Sequence, residues 1–128
     1  MPTVCLAAVF VAGALASVAE ARIDASGRPQ TGVASYYSRS DAGKTTASGA
    51  KLSPNKMTAA SPTLPLGTKA KVTDRRTGKS VDVTVTDRGP YAKHRILDVS
   101  PKAARQLGMN HKGVAKVKIQ PLHEPHKG

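Results

Sequence analysis

The clearest strand signal in this sequence is the run Val81-Asp82-Val83-Thr84-Val85-Thr86, which leads directly into Asp87-Arg88-Gly89-Pro90-Tyr91. Valine alternates with polar residues, and this period of two is typical of a strand with one buried face. Gly89 allows backbone angles that other residues avoid, and Pro90 fixes φ and removes a donor, so the strand must end or turn at Asp87. Asp87 therefore stands at a forced bend, where its carboxylate can either stabilise the turn or act on a ligand.

Short strands separated by turns account for most of the remaining chain. Their residues alternate in polarity or are rich in valine, isoleucine and tyrosine, which favour strands. The polar segment Asp74–Gly78 has the composition of a hairpin loop. The predicted strands are Gly32–Ser38, Lys69–Thr73, Lys79–Thr86, Arg95–Val99 and Gly113–Ile119, with a short apolar segment at Met57–Ala60.

One helix is predicted directly after the strand Arg95–Val99. Ser100 is suited to cap its N-terminus, Pro101 to occupy its first position, and Gly108 to follow its last residue. About six short strands and a single short helix indicate a mostly β fold of the small-barrel type. The helical side chains expected to face the core are Ala103, Ala104 and Leu107.

The N-terminal segment differs from the rest of the chain in composition. Val4–Ala19 is almost continuously apolar, and Ala19-Glu20-Ala21 resembles a cleavage site, so residues 1–21 are predicted to be a signal peptide. A buried or membrane-spanning helix is the alternative, but the run is short of the about 20 residues that a bilayer requires. We interpret residues 22–30 as a flexible leader, 31–121 as one domain and 122–128 as a polar tail.

This segmentation predicts an exported protein that is periplasmic or secreted. The one cysteine of the chain, Cys5, lies inside the predicted signal peptide, so the mature chain is expected to have no disulfide and no thiol nucleophile. Cys5 also comes too early to be the lipid-modified cysteine of a bacterial lipoprotein. We therefore expect a protein without a lipid anchor or another stable membrane anchor.

Charge narrows the range of partners. The chain has 20 Lys and Arg residues against eight Asp and Glu residues, a net charge of +12. This excess favours an anionic partner, which can be nucleic acid, anionic lipid or an acidic cell-wall polymer. Export makes the lipid or the wall polymer the better match, so no nucleic acid is expected. The alternative is a solvated basic surface that mainly confers solubility.

Seven motifs appear in order between residues 32 and 120: Gly32–Tyr37, Thr46–Gly49, Met57–Ala60, Thr63–Thr68, Val85–Tyr91, Arg95–Ser100 and Ala103-Ala104. Together they resemble the rare lipoprotein A (RlpA-like) family. The resemblance implies a six-stranded double-psi β-barrel related to a domain of expansins. It also implies an endolytic peptidoglycan transglycosylase that acts on glycan strands lacking stem peptides.

The resemblance also implies a role for Asp87, because it matches the aspartate that the family is proposed to use as acid and base. Such a group protonates the glycosidic oxygen between MurNAc and GlcNAc and then accepts a proton from the C6 hydroxyl. Attack of that hydroxyl on C1 leaves a 1,6-anhydro product. No water is consumed, so the second carboxylate of a hydrolase is not strictly required.

Two departures from the family pattern leave a second function open. Ala50 stands where the family usually has Glu, and Ser61 stands where it usually has His. Ser61 can hydrogen-bond but does not titrate in the useful range, so it is only a weak catalytic candidate. The alternative is a non-catalytic, expansin-like protein that binds or loosens the wall. A more distant one is a secreted basic protein that binds nucleic acid or anionic lipid.

The remaining candidates are predicted substrate-binding residues. Tyr37 and Ser35 share one strand face, so either Tyr37 or Tyr36 is expected to line a sugar groove. Asp98 is interpreted as structural, because it lies near the start of the helix, where a negative charge is favourable. No cofactor or metal site is predicted from His111, His123 and His126, and a monomer is expected. The predicted substrate-binding set is Tyr37, Ser35, Thr46, Arg88 and His94.

Overall fold

Six strands close into one barrel in the computed structural model, which describes residues 23–109 and 113–122. Within these residues one α-helix, α1 (Pro101–Leu107), and a 3₁₀ turn at Arg39–Asp41 accompany the strands. The prediction of a mostly β, six-stranded barrel with one short helix is confirmed. The predicted signal peptide and residues 123–128 of the predicted tail lie outside the described residues. The strands are β1 (Gln30–Tyr36), β2 (Thr58–Ala60), β3 (Lys69–Asp74), β4 (Ser80–Asp87), β5 (Arg95–Val99) and β6 (Val114–Pro121).

The barrel mixes parallel and antiparallel pairs. Its order is β1-β5-β2-β4-β3-β6, and β6 pairs again with β1. The pairs β1–β5 and β2–β4 are parallel, whereas the other four are antiparallel. Closure pairs each of the six strands with a neighbour on both sides, and the barrel surrounds a small aliphatic core.

The alternation predicted for β4 is confirmed. Val81, Val83 and Val85 are buried, whereas Asp82 is exposed. Among residues 23–109 and 113–122, the core that these valines enter has no aromatic side chain at its centre, and Tyr36 packs against it as a partly buried residue. Each fully buried aliphatic side chain contributes roughly 1.5–3 kcal/mol, so the loss of one is a large fraction of the stability of a domain of this size.

We expect Leu97→Ala to lower the free energy of unfolding by about 2–5 kcal/mol, because Leu97 is fully buried in β5 and a cavity would replace it. Urea denaturation followed by circular dichroism measures this change. The matched control is Leu66→Ala, which removes the same atoms from a side chain that is 40% exposed. A loss of similar size in both variants would contradict the placement of the core.

The helix forms as its capping residues predict. The Ser100 hydroxyl accepts a hydrogen bond from the Ala103 N–H at 3.2 Å, and Pro101 occupies the first position. Gly108 ends the helix with φ of 78°, and its N–H donates to carbonyls of the last turn. Ala103, Ala104 and Leu107 are buried, as expected. The helix therefore anchors the chain immediately after β5.

Several strand boundaries differ from the prediction because pairing, not local pattern, sets them. β1 begins at Gln30, which pairs with Ile119, and ends at Tyr36. β6 extends to Pro121, which pairs with Ala70 of β3. In the predicted leader, the Asp24 N–H donates to the Thr63 carbonyl at 2.7 Å.

No helix among the described residues has the length and apolar character needed to cross a bilayer.

Candidate active site

Strand register places two aspartates in one row across the barrel. Ala60 of β2 pairs with Asp87 of β4 on one side and with Asp98 of β5 on the other. Asp98 pairs in turn with Ser35 of β1. Neighbouring strands lie about 4.8 Å apart, so the backbones of the two aspartates are separated by about 10 Å, with only the small Ala60 between them.

A cavity of about 190 Å³ lies over this row. Asp41 joins the two aspartates in its lining, so three of the carboxylates in the described residues meet there. A cavity of about 340 Å³ beside β6 and another of about 620 Å³ beside the leader are larger, but each has only one carboxylate in its lining. We call the smaller cavity the acidic groove. Its lining is Tyr37, Asp41, Leu52, Ala59, Ala60, Thr86, Asp87, Arg88, Gly89, Pro90 and Asp98.

Asp87 is fixed through one carboxylate oxygen only. Its Oδ1 accepts hydrogen bonds of 2.9 Å from the backbone N–H groups of Ala47 and Arg88. Its Oδ2 accepts none from the residues that the structure describes. Gly89 has φ of 114°, so the chain turns away immediately after the strand, as the sequence predicts. One oxygen is thus anchored, and the other remains available to a ligand in the groove.

Arg88 lines the groove but directs its guanidinium group towards the backbone of a neighbouring loop. Its Nη1 donates to the Ser61 carbonyl at 3.0 Å and to the Leu64 carbonyl. No ion pair joins its side chain to Asp87; the ion pair found within the described residues is Lys44–Asp41, at 2.7 Å. Arg88 therefore stabilises the wall of the groove. Because its Nη1 is already bonded to two backbone carbonyls, the side chain has fewer donors left for the substrate that it was predicted to bind.

Asp98, which the sequence analysis interpreted as a structural residue, also lines the groove. Its Oδ1 accepts a hydrogen bond of 2.8 Å from the Ser35 hydroxyl, which itself accepts one of 3.2 Å from Arg95 Nη1. Burial raises the pKa of Asp98 above its usual value and the nearby charge of Asp41 adds to this, whereas the bond from Ser35 and the charge of Arg95 oppose it. Asp98 thus lies before the helix, as the sequence indicates, and its side chain also lines the groove.

We expect Asp98→Asn to gain stability relative to the wild type as pH rises above the ordinary aspartate pKa of 3.8. A raised folded-state pKa means that the native protein binds the proton more tightly than the unfolded chain. The stabilisation is therefore complete below the unfolded-state pKa and is lost as pH rises through the folded-state pKa. Asparagine avoids this loss and can still accept from Ser35.

Thermal unfolding of both proteins at pH 3 and pH 7 measures this effect. The variant should exceed the wild type in Tm more at pH 7 than at pH 3. Asp82→Asn is the control, because it removes the same charge from an exposed position on β4. An equal difference in Tm at both pH values would show that the environment of Asp98 does not disfavour its charge.

Tyr37, and not Tyr36, lines the acidic groove. Its hydroxyl shares a hydrogen bond of 2.9 Å with Thr58 Oγ1 and donates to the Ser53 carbonyl at 3.4 Å. Burial raises the pKa of Tyr37, and the charges of Asp98 and Asp87 add to this effect. The phenol therefore stays protonated beside both carboxylates, where its ring can contact a sugar.

Two other predicted residues support the groove from outside its lining. Ser35 is buried and holds Asp98. Thr46 is buried, and its hydroxyl donates to the Ala50 carbonyl at 2.7 Å, which closes the turn that presents the Ala47 N–H to Asp87. Both residues position the carboxylates through backbone and side-chain contacts.

Ser61 and His94 do not join the groove lining. Ser61 is fully buried, and its hydroxyl accepts hydrogen bonds from the Thr63 and Leu64 N–H groups at 3.2 and 2.9 Å. His94 is exposed, with φ of 69°, and lines a separate shallow cavity beside Ile96. Within the described residues no group of His, Asp or Glu is arranged to hold a metal ion. His111, His123 and His126 lie outside those residues.

A family described as lytic transglycolase has a sequence model that matches residues 29–119, the whole barrel and both aspartates. The chain belongs to this family. The predicted resemblance to the RlpA-like family is confirmed, because curated relatives carry that name. Over 93 residues the chain is 50% identical to a probable endolytic peptidoglycan transglycosylase RlpA from Nostoc sp.. Over 96 residues it is 50% identical to the endolytic peptidoglycan transglycosylase RlpA of Rickettsia prowazekii.

These relatives are much longer than the matched region. The alignments cover 71% and 73% of this chain but 25% and 30% of the two relatives, respectively. This chain therefore spans less than a third of either protein.

Solved structures with the same fold have low sequence identity to this chain. The Streptomyces papain inhibitor matches with a TM-score of 0.64 at 23% identity, over 78% of this chain and 100% of the inhibitor. An expansin from Clavibacter michiganensis matches with a TM-score of 0.59 at 23% identity, over 78% of this chain and 53% of the expansin. A mutant of that expansin in complex with cellohexaose matches with a TM-score of 0.56 at 19% identity, over 79% and 54%. These matches support the fold only.

Proposed function

We propose that this domain is a peptidoglycan lytic transglycosylase. Its substrate is the β-1,4 link between MurNAc and GlcNAc in glycan strands that lack stem peptides, and its product ends in 1,6-anhydro-MurNAc. The observation that carries the proposal is the open Oδ2 of Asp87 in a groove that also contains Asp98. The names of the curated relatives support it, although the chain covers only part of their length.

Asp87 carries the proton in both directions in the proposed reaction. Its protonated carboxyl group donates to the glycosidic oxygen, the bond from C1 to that oxygen breaks, and positive charge develops on the sugar ring. The C6 hydroxyl then attacks C1 and returns its proton to Asp87. The enzyme ends in its starting state, and the glycan has lost one link without consuming water.

Asp98 complements this chemistry from β5, on the other side of β2. Because burial raises its pKa, Asp98 keeps its proton to a higher pH than an exposed aspartate does. In either protonation state this carboxyl group can form a hydrogen bond with a sugar hydroxyl across the groove. The Tyr37 ring lies in the same lining and supplies an apolar surface for the sugar face.

A non-catalytic glycan-binding role is the second candidate. Ala50 is exposed and contributes only a methyl group, and the Ser61 hydroxyl is already bonded to the backbone. Two side chains that the resemblance associates with catalysis are therefore not supplied at these positions.

Product analysis distinguishes these functions. The domain is incubated with denuded glycan strands, and the products are identified by mass spectrometry. 1,6-Anhydro ends support the transglycosylase, whereas new reducing ends would indicate a hydrolase that uses both carboxylates. Sedimentation with the glycan but no cleavage would support the binding protein.

We further propose that the protein acts in the periplasm or outside the cell, as a monomer without a membrane anchor.

A further inference from the structure

The outer face of β3 and β6 presents a straight ladder of cations. Side chains at 69, 71, 73 and 75 alternate outward with the inward Ala70, Val72 and Asp74. Antiparallel register places Lys118 opposite Thr73, and the Arg75 N–H donates to the Lys116 carbonyl. We call this face the basic ladder; it consists of Lys69, Lys71, Arg75, Lys116 and Lys118, all exposed.

The geometry of the basic ladder suits an extended polyanion. Successive outward positions on a strand are about 6.7 Å apart, so the cations occupy four consecutive rungs over about 20 Å. None of the five forms an ion pair with a described residue, although Asp82 of β4 stands opposite Lys71. The positions between the cations hold the polar Thr73 and Gln120, whereas the apolar Val114 and Leu122 stand only at the two ends of the row. Cations interrupted by polar side chains suit a charged chain better than insertion into a lipid surface.

The basic ladder lies across the barrel from the acidic groove. In the ring β1-β5-β2-β4-β3-β6, the groove rests on β5, β2 and β4, while β3 and β6 occupy the opposite positions to β5 and β2. A strand bound in the groove therefore cannot lie along the ladder without bending round the barrel. The carboxylates of the groove and the cations of the ladder are therefore on opposite sides of the barrel, where they can bind different ligands or different parts of one ligand.

We propose that the basic ladder is a second docking site, which holds a denuded glycan strand while the groove acts on a neighbouring one. The inference rests on the proposed function. A strand without stem peptides has a free lactyl carboxylate on each MurNAc, so it is a linear polyanion that matches a linear row of cations. Docking of this kind would keep the domain on the wall between cleavage events.

Variants of the full chain in which four lysines are replaced by neutral glutamine test the role of the basic ladder. Replacing Lys69, Lys71, Lys116 and Lys118 by Gln should reduce co-sedimentation with denuded strands about tenfold at low salt. The matched control replaces Lys51, Lys56, Lys79 and Lys93 by Gln, an equal charge change at exposed positions elsewhere, and should retain binding. Amidation of the glycan carboxylates with carbodiimide and ammonia should remove the difference between wild type and ladder variant.

The outcomes separate this inference from the proposed function. Equal losses in ladder and control variants would overturn it, even if the wild type releases anhydro products. Loss of binding in the ladder variant alone would support it, even if no cleavage is found. Vesicles of phosphatidylglycerol and phosphatidylcholine form a further arm: a ladder variant that loses vesicle binding but keeps glycan binding would overturn the glycan assignment in favour of lipid.

Discussion

Asp87→Asn is expected to reduce the release of 1,6-anhydro products by about 10²–10⁴-fold, the range over which a positioned acid or base accelerates a reaction. Asparagine has nearly the same shape, and its Oδ1 can still accept from the Ala47 and Arg88 N–H groups. The amide that replaces Oδ2 can neither give up a proton to the glycosidic oxygen nor accept one from the C6 hydroxyl. The variant should therefore fold and bind glycan but fail to cleave it.

Rates come from mass spectrometry of timed digests of denuded strands, and binding comes from sedimentation of the same samples. Asp82→Asn is the matched control, since it removes an exposed carboxylate from the same strand and leaves the groove intact. Turnover by Asp87→Asn at the wild-type rate would eliminate Asp87 as acid and base. In that case Asp98, the other carboxylate of the row, would be the next residue to replace.

Local sequence chemistry predicted the strand end and the bend at Asp87, whereas only the family resemblance assigned acid and base chemistry to its carboxylate. The alternation of Val81, Val83 and Val85 defines the strand, and Gly89-Pro90 ends it. The helix was predicted in the same local way, since Ser100 and Gly108 satisfy backbone groups of the adjacent turns. Features of this kind need no knowledge of the tertiary structure.

Asp98 could not be placed in the groove in this way because its neighbours are distant in sequence. Its position beside Ala60 and Ser35 follows from β5 pairing with β2 and with β1, and no local pattern encodes that order. The small hydroxyl residues raise the opposite difficulty. Ser61 and Thr46 have the polarity of ligand-binding residues, yet both hydroxyls bond to nearby backbone groups, and only the coordinates distinguish the two uses.

The role of Ala60 leads to the second prediction, that Ala60→Leu abolishes glycan binding in the acidic groove and strongly reduces cleavage. Ala60 lies between Asp87 and Asp98 in the row, is 8% exposed and lines the groove. A leucine there would add three carbon atoms to a cavity of about 190 Å³, over the position where the link to be broken must lie. We expect cleavage to fall by at least about 10²-fold, because displacement of the substrate by about 1 Å can already cost that much.

The combination of readouts makes this prediction specific to the groove. Asp87→Asn should lose cleavage and keep binding, whereas Ala60→Leu should lose both cleavage and binding in the groove. Binding in the groove is measured with a short denuded oligosaccharide. Ala115→Leu is the control, since it adds the same atoms beside the cavity of about 340 Å³ on the β6 side. Circular dichroism confirms that each variant is folded. Full cleavage by a folded Ala60→Leu variant would mean that the glycan does not pass between the two aspartates, and the reaction would then have to be assigned to another surface of the barrel.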